Sequence, residues 1–145
     1  MRARSGVRTS GWMAMLGLSA ALLMVSAGQA RPEKDFSGNE IAKAPEKWKA
    51  RANPLEHDPE AVAAGQKLFG MHCAECHGQN AEGTHRAPTM RSSDVQEATP
   101  GAIFWVLTNG IVWHGMPVWS KFPEPMRWQL VAYVKSLGLK SKDVH

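Results

Sequence analysis

The sequence has little cysteine and no strand-like patterning, and each shortage excludes a class of protein. Only Cys73 and Cys76 are present in 145 residues, and no second C-x-x-C or H-x-x-H pair follows to complete a structural zinc site. No stretch alternates apolar and polar residues as a strand does, so a thioredoxin-like redox pair has no βαβ context. The pattern predicts an all-α fold. A disulfide between the cysteines, or a zinc site with His77 and His72 or His85, is the alternative use of the thiols.

Long apolar runs are also scarce, and the clearest one lies near the N-terminus. Three arginines precede an almost wholly apolar stretch from Gly11 to Val25, and small residues then suit cleavage after Ala27 or Ala30. This order is typical of a secretory signal peptide, so residues 1–30 are predicted to direct export to the periplasm and to be removed. A run of this length is at the short limit for a spanning helix, so an uncleaved inner-membrane anchor is the alternative. No adjacent arginine pair indicates twin-arginine export.

Excess charge is nearly absent once the predicted signal is set apart. The full chain has 17 Lys+Arg and 13 Asp+Glu, and removal of three arginines leaves 14 against 13, a net charge of +1. Such a balance gives no support for a polyanionic partner, so no nucleic-acid partner is expected. A membrane partner is expected only if the N-terminal segment stays uncleaved.

The stretch Cys73-Ala74-Glu75-Cys76-His77 is the C-x-x-C-H pattern of covalent haem attachment. Residues three apart share one face of a helix, so both sulfurs can reach the two vinyl positions along one side of a porphyrin. His77 then lies beneath the ring, where an imidazole nitrogen can bind the iron. One covalent haem c is therefore predicted. It would also fill the core that about 80 residues in short helices are too few to build alone.

The sixth iron ligand is predicted to be Met116, in the loop Gly115-Met116-Pro117. Gly115 lets the backbone approach the ring without a Cβ clash, and Pro117 stiffens the exit from the loop. His114, in the same loop, is the alternative. Two further sulfurs lie downstream of the haem motif, those of Met90 and Met126.

The helix signals divide the rest of the chain into an arm, a domain and a tail. Residues 31–57 are polar and broken by prolines, and are predicted to form an extended arm or linker, either solvated or docked through Trp48 with a helical turn over Ala44–Ala52. Residues 58–140 form the predicted domain and residues 141–145 a tail. Helices are expected from Asp58 to Cys73, over Asp94 to Ala98, from Thr99 to Gly110, and from Pro125 to Gly138.

Together, the C-x-x-C-H motif, the Gly-Met-Pro loop and the closing aromatic helix resemble the class I c-type cytochromes, especially compact bacterial members. The resemblance covers roughly Pro59 to Leu139 and implies a cytochrome c fold, with three to five short helices around one haem. Gly65 and Phe69 match the Gly-x-x-x-Phe of the family's first helix, which crosses a terminal helix matched here by Leu130 and Tyr133. That crossing would explain a glycine inside a helix.

The resemblance also implies a haem pocket. Ala87-Pro88-Thr89-Met90 is similar to the family's Gly-Pro-x-Leu turn, so the Pro88 carbonyl is expected to accept the proton on the second nitrogen of His77. Met90 stands where leucine is usual, and Trp119 where a phenylalanine often follows the methionine loop. Two further expectations come from the residues and not from the resemblance. Arg86 is the charged candidate for binding the haem propionates. Tryptophans are expected to pack around the haem: Trp48, Trp105, Trp113, Trp119 and Trp128.

With both axial positions filled, the predicted function is periplasmic one-electron transfer rather than enzymatic catalysis. The expected partners are a redox protein donor and acceptor, with the chain acting as a free carrier or as the haem subunit of a dehydrogenase or terminal-oxidase chain. Docking is expected to depend on apolar contact more than on charge. In the alternative function, Met116 swings away and leaves the iron open to peroxide or a small ligand, as in a haem enzyme or sensor.

Overall fold

The computed structural model describes residues 38–142, and these residues are helical or in loops. Within them, the only strand-like pairing is an isolated bridge between Ile111 and Met116, so the predicted all-α fold is confirmed. No helix in this range is both long and apolar enough to cross a bilayer. The predicted signal peptide, the first residues of the predicted arm and the last residues of the tail lie outside the described residues.

Seven α-helices and one 3-10 helix make up the described part of the chain. Their bounds are α1 Gly38–Ala42, α2 Glu46–Lys49, α3 Pro59–His72, α4 Ala74–His77, α5 Ser93–Glu97, α6 Pro100–Asn109, the 3-10 helix Val112–His114, and α7 Glu124–Lys142. Five of the α-helices fall within residues 58–142, which is the upper end of the expected three to five.

The starts of the two helices that flank the core follow their capping residues. The Asp58 side chain accepts hydrogen bonds from the backbone N–H groups of Glu60 at 2.8 Å and Ala61 at 3.2 Å, and Pro59 opens α3. Thr99 caps α6 in the same way through Ala102, at 3.3 Å. Both starts are therefore set by the local sequence.

Helices α3 and α7 cross at Gly65, as the resemblance implied. A Cβ built on Gly65 would overlap the Gln129 carbonyl oxygen and would lie 2.6 Å from that carbonyl carbon and 2.9 Å from Tyr133 Cβ. Only glycine allows the backbones to approach this closely. The rings of Phe69 and Tyr133 meet beside the crossing with centroids 5.3 Å apart.

The last helix does not end at Gly138, and that expected end was wrong. Helix α7 continues to Lys142. A Cβ on Gly138 would lie 2.9 Å from Gln96 Cδ, so the glycine makes room for a neighbouring side chain. Gln96 uses that space to donate hydrogen bonds from Nε2 to the carbonyls of Met90, at 2.6 Å, and Val134, at 3.0 Å.

The described part of the predicted arm is docked and not extended. Ile41 in α1 and Ala44 between α1 and α2 are buried, and the Trp48 ring of α2 stacks on Phe104 with centroids 5.9 Å apart. A Cβ on Gly101, in the first turn of α6, would overlap the Trp48 carbonyl oxygen, so α6 is shaped to receive this segment. The boundaries of the predicted domains stay predictions.

Arg51 fixes the docked segment to both α6 and α7. Its guanidinium lies 5.1 to 5.2 Å from the ring centroids of Trp48, Phe104 and Trp128, and it pairs with Glu124 at 2.5 Å. Asn53 adds a hydrogen bond of 3.0 Å from Nδ2 to the Trp128 carbonyl. The N-terminal segment therefore completes the hydrophobic core.

Candidate functional site

A cavity of about 710 Å³ lies beside the end of α3 and between the two loops that sequence analysis singled out. Its apolar walls come largely from four helices, and include Phe69, Val95, Val106, Leu107, Leu130 and Val134. The cavity is also lined by every residue that was predicted for the site: Cys73, Cys76, His77, Arg86, Pro88, Met90, Met116 and Trp119. The fold thus brings together residues spread over more than forty positions of sequence.

The two thiols and the imidazole are presented by a single helical turn. Cys73 ends α3 and caps α4, and its carbonyl accepts from the N–H groups of Cys76 at 3.1 Å and His77 at 2.9 Å. Both cysteines are free thiols and half-buried, so the alternative of a disulfide between them does not describe this structure. Burial, with a smaller effect of Cys76, raises the pKa of the Cys73 thiol to about 11. The thiol is therefore protonated at neutral pH.

His77 is held through its Nδ1 atom. Nδ1 lies 2.9 Å from the Pro88 carbonyl oxygen, which is the hydrogen bond that the resemblance implied. Since a carbonyl can only accept, Nδ1 carries the proton and Nε2 keeps its lone pair, the arrangement that metal-bound histidines use. Burial lowers the pKa of His77, although the Pro88 hydrogen bond opposes the shift. The ring is thus neutral and suited to ligate iron.

The turn that carries Pro88 is fixed by hydrogen bonds to the haem motif itself. The Gly83 N–H donates to the His77 carbonyl at 2.8 Å, and Thr84 Oγ1 donates to the Cys76 carbonyl at 2.5 Å. Gly83 has a φ of +86°, and a Cβ there would lie 2.6 Å from the Thr89 nitrogen. No sequence motif identified above includes Gly83. It is a positioning residue for the carbonyl that orients His77.

The Met116 loop, residues 110–122, is closed by backbone hydrogen bonds. Ile111 and Met116 exchange N–H to carbonyl hydrogen bonds of 3.0 and 3.1 Å, and the Trp119 N–H donates to the Leu107 carbonyl at 3.0 Å. Gly110 ends α6 with a φ of +66°, and a Cβ there would lie 2.8 Å from the Met116 carbonyl oxygen. The half-buried Met116 side chain lines the cavity as a result.

Gly115 has a conformational role that sequence analysis did not identify. Its φ of +87° lies in the left-handed region, where it ends the 3-10 helix Val112–His114. The glycine is required by the turn itself. His114, the alternative ligand, is exposed and also lines the cavity.

The remaining predicted pocket residues differ in how firmly they are held. The Met90 backbone bonds Ala81 through its N–H at 2.9 Å and Gln96 through its carbonyl. Arg86 Nη1 forms an ion pair with the Glu75 carboxylate at 2.8 Å, and both side chains are more than half exposed. Binding of haem propionates by Arg86 stays a prediction.

Of the five tryptophans expected around the haem, only Trp119 lines the cavity, so the prediction is wrong for the others. Trp119 lies against the rings of His72, at 5.7 Å, and Phe122, at 5.0 Å. Trp128 stacks on Phe104 in the docked aromatic cluster, with centroids 4.0 Å apart. Trp113 is 70% exposed. Composition could not separate these uses because every tryptophan has the same preference for burial.

Comparison with known proteins agrees with this architecture. The family model "Cytochrome C oxidase, cbb3-type, subunit III" matches residues 60–134, just over half of the chain. The chain belongs to this family. The match runs from the first turn of α3 to the middle of α7, so it includes both loops that line the cavity.

Two individual relatives support the family assignment. The "Cbb3-type cytochrome c oxidase subunit CcoP" of Rubrivivax gelatinosus is 35% identical over 89 residues, covering 60% of this chain and 29% of that subunit. Cytochrome CL from the marine methylotrophic bacterium Methylophaga aminisulfidivorans is 26% identical, with a TM-score of 0.52 over 59% of this chain and 58% of that one. The resemblance to class I c-type cytochromes is therefore confirmed, and the matched region is a cytochrome c electron-transfer domain. The chain spans less than a third of the CcoP relative.

The residues of the cavity fit the haem c that the cytochrome family implies. A large, mostly apolar space suits the faces of a porphyrin, two thiols on one turn suit its vinyl groups, and a neutral imidazole with Nε2 as acceptor suits its iron. Zinc finds less support: within residues 38–142, no three His, Cys, Asp or Glu side chains are grouped so as to hold a metal ion.

Proposed function

We propose that this protein carries single electrons by means of one haem c, bonded to Cys73 and Cys76 and ligated by His77 and Met116. The observation that carries the proposal is the common cavity: the C-x-x-C-H turn, a His77 ring oriented through Nδ1, and the Met116 side chain all line it. A haem c bound there would supply reversible one-electron exchange at its iron. The chain's residues would bind it, orient its ligands and exclude water.

The surroundings of the two ligands favour a high reduction potential. Met116 offers a thioether, a soft ligand that raises the potential of iron, and the apolar wall of α3, α6 and α7 disfavours additional positive charge. The hydrogen bond from His77 Nδ1 to the Pro88 carbonyl acts in the other direction, because it makes the imidazole more basic. We expect the first two effects to dominate and the potential to be positive.

The proposed partners are redox proteins, and a terminal oxidase of the cbb3 type is the partner that the family assignment favours. A dehydrogenase chain is the alternative. The loop that brings Met116 to the cavity exposes Val112 by 62%, Trp113 by 70% and Val118 by 46%. Lys121 is the only lysine, arginine or acid in residues 109–122. Docking at this loop would therefore be apolar and only weakly dependent on salt.

A periplasmic location, free or held at the inner membrane, belongs to the same proposal. It is supported by the order of basic, apolar and small residues before Arg31, and by the cbb3-type family. Mass spectrometry of the protein exported by a bacterial host tests it. A mature N-terminus after Ala27 or Ala30 is expected, and an intact Met1 in a membrane fraction would favour the anchor.

Visible spectroscopy of the haem-loaded protein tests the ligand set. Expression in a haem-maturing host is expected to give a coloured, low-spin protein whose ferric form shows a thioether-to-iron band. Met116→Ala should abolish that band, whereas Met126→Ala should keep it, because Met126 is half-buried against the core and does not line the cavity. An unchanged spectrum in Met116→Ala would refute the assignment of this ligand.

The attachment and the absence of enzymatic activity need separate tests. Cys73→Ala with Cys76→Ala should release the haem on acid–acetone extraction, while wild type retains it. Cyanide or peroxide added to wild type should leave the spectrum unchanged on the time scale of electron transfer. A rapid spectral change would instead favour the haem enzyme or sensor with a labile Met116.

A further inference from the structure

We propose that Arg127 is a positioning residue that ties the two ends of the Met116 loop together and so holds the thioether in the cavity. The inference rests on the proposed ligation by Met116. Arg127 lies in the first turn of α7, immediately after the loop, and it is only half-buried. Neither the loop motif nor the resemblance pointed to it.

The contacts of Arg127 reach both sides of the loop. Its Nη1 donates to Thr108 Oγ1 at 2.5 Å, two residues before Gly110 begins the loop. Its Nε donates to the carbonyl oxygen of Phe122, the last loop residue, at 3.2 Å. One planar guanidinium therefore joins the entrance and the exit, which a single ammonium group on a flexible stem does less well.

The same guanidinium is itself held in place by the core. Its central carbon lies 4.6 Å from the centroid of the buried Phe104 ring, a cation–π distance. Thr108 Oγ1, which accepts from Arg127, donates in turn to the Phe104 carbonyl at 2.8 Å. A continuous set of contacts thus links the buried side of α6 to the end of the loop.

The loop depends on its ends because its middle has few buried contacts. Residues 112–115 and 117–118 are exposed, and the backbone pairing of Ile111 with Met116 stabilises only the tip. Segments of this kind open locally at low cost in free energy. Loosening the base should therefore allow Met116 to leave the cavity more often, without unfolding the helices.

Arg51 provides a matched control for this role. It is also an arginine, its guanidinium also lies over Phe104, at 5.1 Å, and it also bonds α7, through Glu124. Its contacts hold the docked N-terminal segment and do not include the Met116 loop. Removal of either arginine should destabilise the fold, but only removal of Arg127 should release the loop.

The experiment measures how readily imidazole displaces the thioether in the haem-loaded ferric protein. Imidazole is titrated while the thioether-to-iron band is followed, and urea unfolding is measured on the same samples. Arg127→Met should bind imidazole about tenfold more tightly than wild type, equivalent to about 1.4 kcal/mol. Arg127→Lys should lie between the two, and Arg51→Met should stay within about twofold of wild type.

A second variant keeps the test decisive if Arg127→Met does not mature. Thr108→Val leaves the arginine in place and removes one of its two side-chain hydrogen bonds. Imidazole binding should therefore tighten by about threefold, which is less than the tenfold change expected for Arg127→Met. Equal imidazole affinities in wild type and Thr108→Val, or equal changes in Arg127→Met and Arg51→Met, would overturn the role of Arg127. A wild type without any thioether band would instead refute the proposed function, and this role with it.

Discussion

Gly65→Ala tests whether the close crossing of α3 and α7 requires a glycine at this position. In an exposed helix, alanine in place of glycine stabilises by up to about 1 kcal/mol. At Gly65 the added Cβ would lie 2.6 Å from the Gln129 carbonyl carbon and 2.9 Å from Tyr133 Cβ. The first of these atoms is backbone in the middle of α7, so the whole helix has to move.

The size of the effect follows from these opposing contributions. Overpacking of a rigid site costs about 1 to 3 kcal/mol, and a backbone clash belongs at the upper end of that range. After subtraction of the gain in helix propensity, we expect a net loss of about 2 kcal/mol in the free energy of unfolding. For a domain of this size the melting temperature should fall by roughly 8 °C. The Phe69 ring, which lines the cavity one turn further along α3, should shift with the crossing.

Gly70→Ala is the matched control, because Gly70 lies in the same helix and a Cβ there meets nothing within 4 Å. This variant should be more stable than wild type by about 0.5 to 1 kcal/mol. Both haem-loaded variants are unfolded by urea and by heat, with helix content followed by circular dichroism. If Gly65→Ala were as stable as wild type, or if both substitutions changed stability in the same direction, the close crossing would be refuted.

Three further changes test other parts of the structure. Gly83→Ala should destabilise by about 2 kcal/mol in urea unfolding, because a φ of +86° strains any other L residue, and an unchanged midpoint would contradict this. Trp48→Ala should cost about 2 kcal/mol if the N-terminal segment is docked, whereas a solvated segment would show no loss. The hydrogen bonds from Trp128 and Arg51 lower the pKa of Glu124. The ionised Glu124 carboxylate therefore stabilises the fold above the ordinary pKa of a glutamate, and this stabilisation is lost as the pH falls below that pKa. Glu124→Gln should therefore melt below wild type at about pH 7, with the difference closing toward about pH 3, and a difference independent of pH would contradict the linkage.

The parts that the sequence predicted well depend on neighbours within a few residues. Asp58 and Thr99 cap α3 and α6 because an N-cap acts on the N–H groups two or three positions ahead. The C-x-x-C-H turn is equally local. The approach of α7 at Gly65 was implied by resemblance, since a glycine in a helix does not by itself say which neighbour needs the space.

The features that the sequence predicted poorly depend on contacts between residues that are far apart in the chain. Gly138 has the sequence context of a helix stop, but α7 continues past it, and the glycine instead leaves room for the side chain of Gln96, more than forty residues earlier. Arg51 meets Glu124 across 73 positions, and Asn53 meets the Trp128 carbonyl across 75. No local sequence pattern marks such pairs. For this reason the polar, proline-broken stretch of residues 31–57 has the sequence pattern of a linker, although its described part is docked.

The two sides of the cavity are built in different ways, and this difference predicts the order in which they fail. His77 is oriented by the turn of residues 78–90, whose backbone and side-chain hydrogen bonds return to His77 and Cys76 within a dozen positions. The Met116 loop instead depends on a bridge at its tip and on contacts of its base with α6 and α7. Disturbance of the helix packing should reach the base of the loop before it reaches the local turn. Loss of the thioether ligand should therefore precede loss of the imidazole ligand as urea or temperature rises, and loss in the reverse order would contradict this assignment of rigid and labile sides.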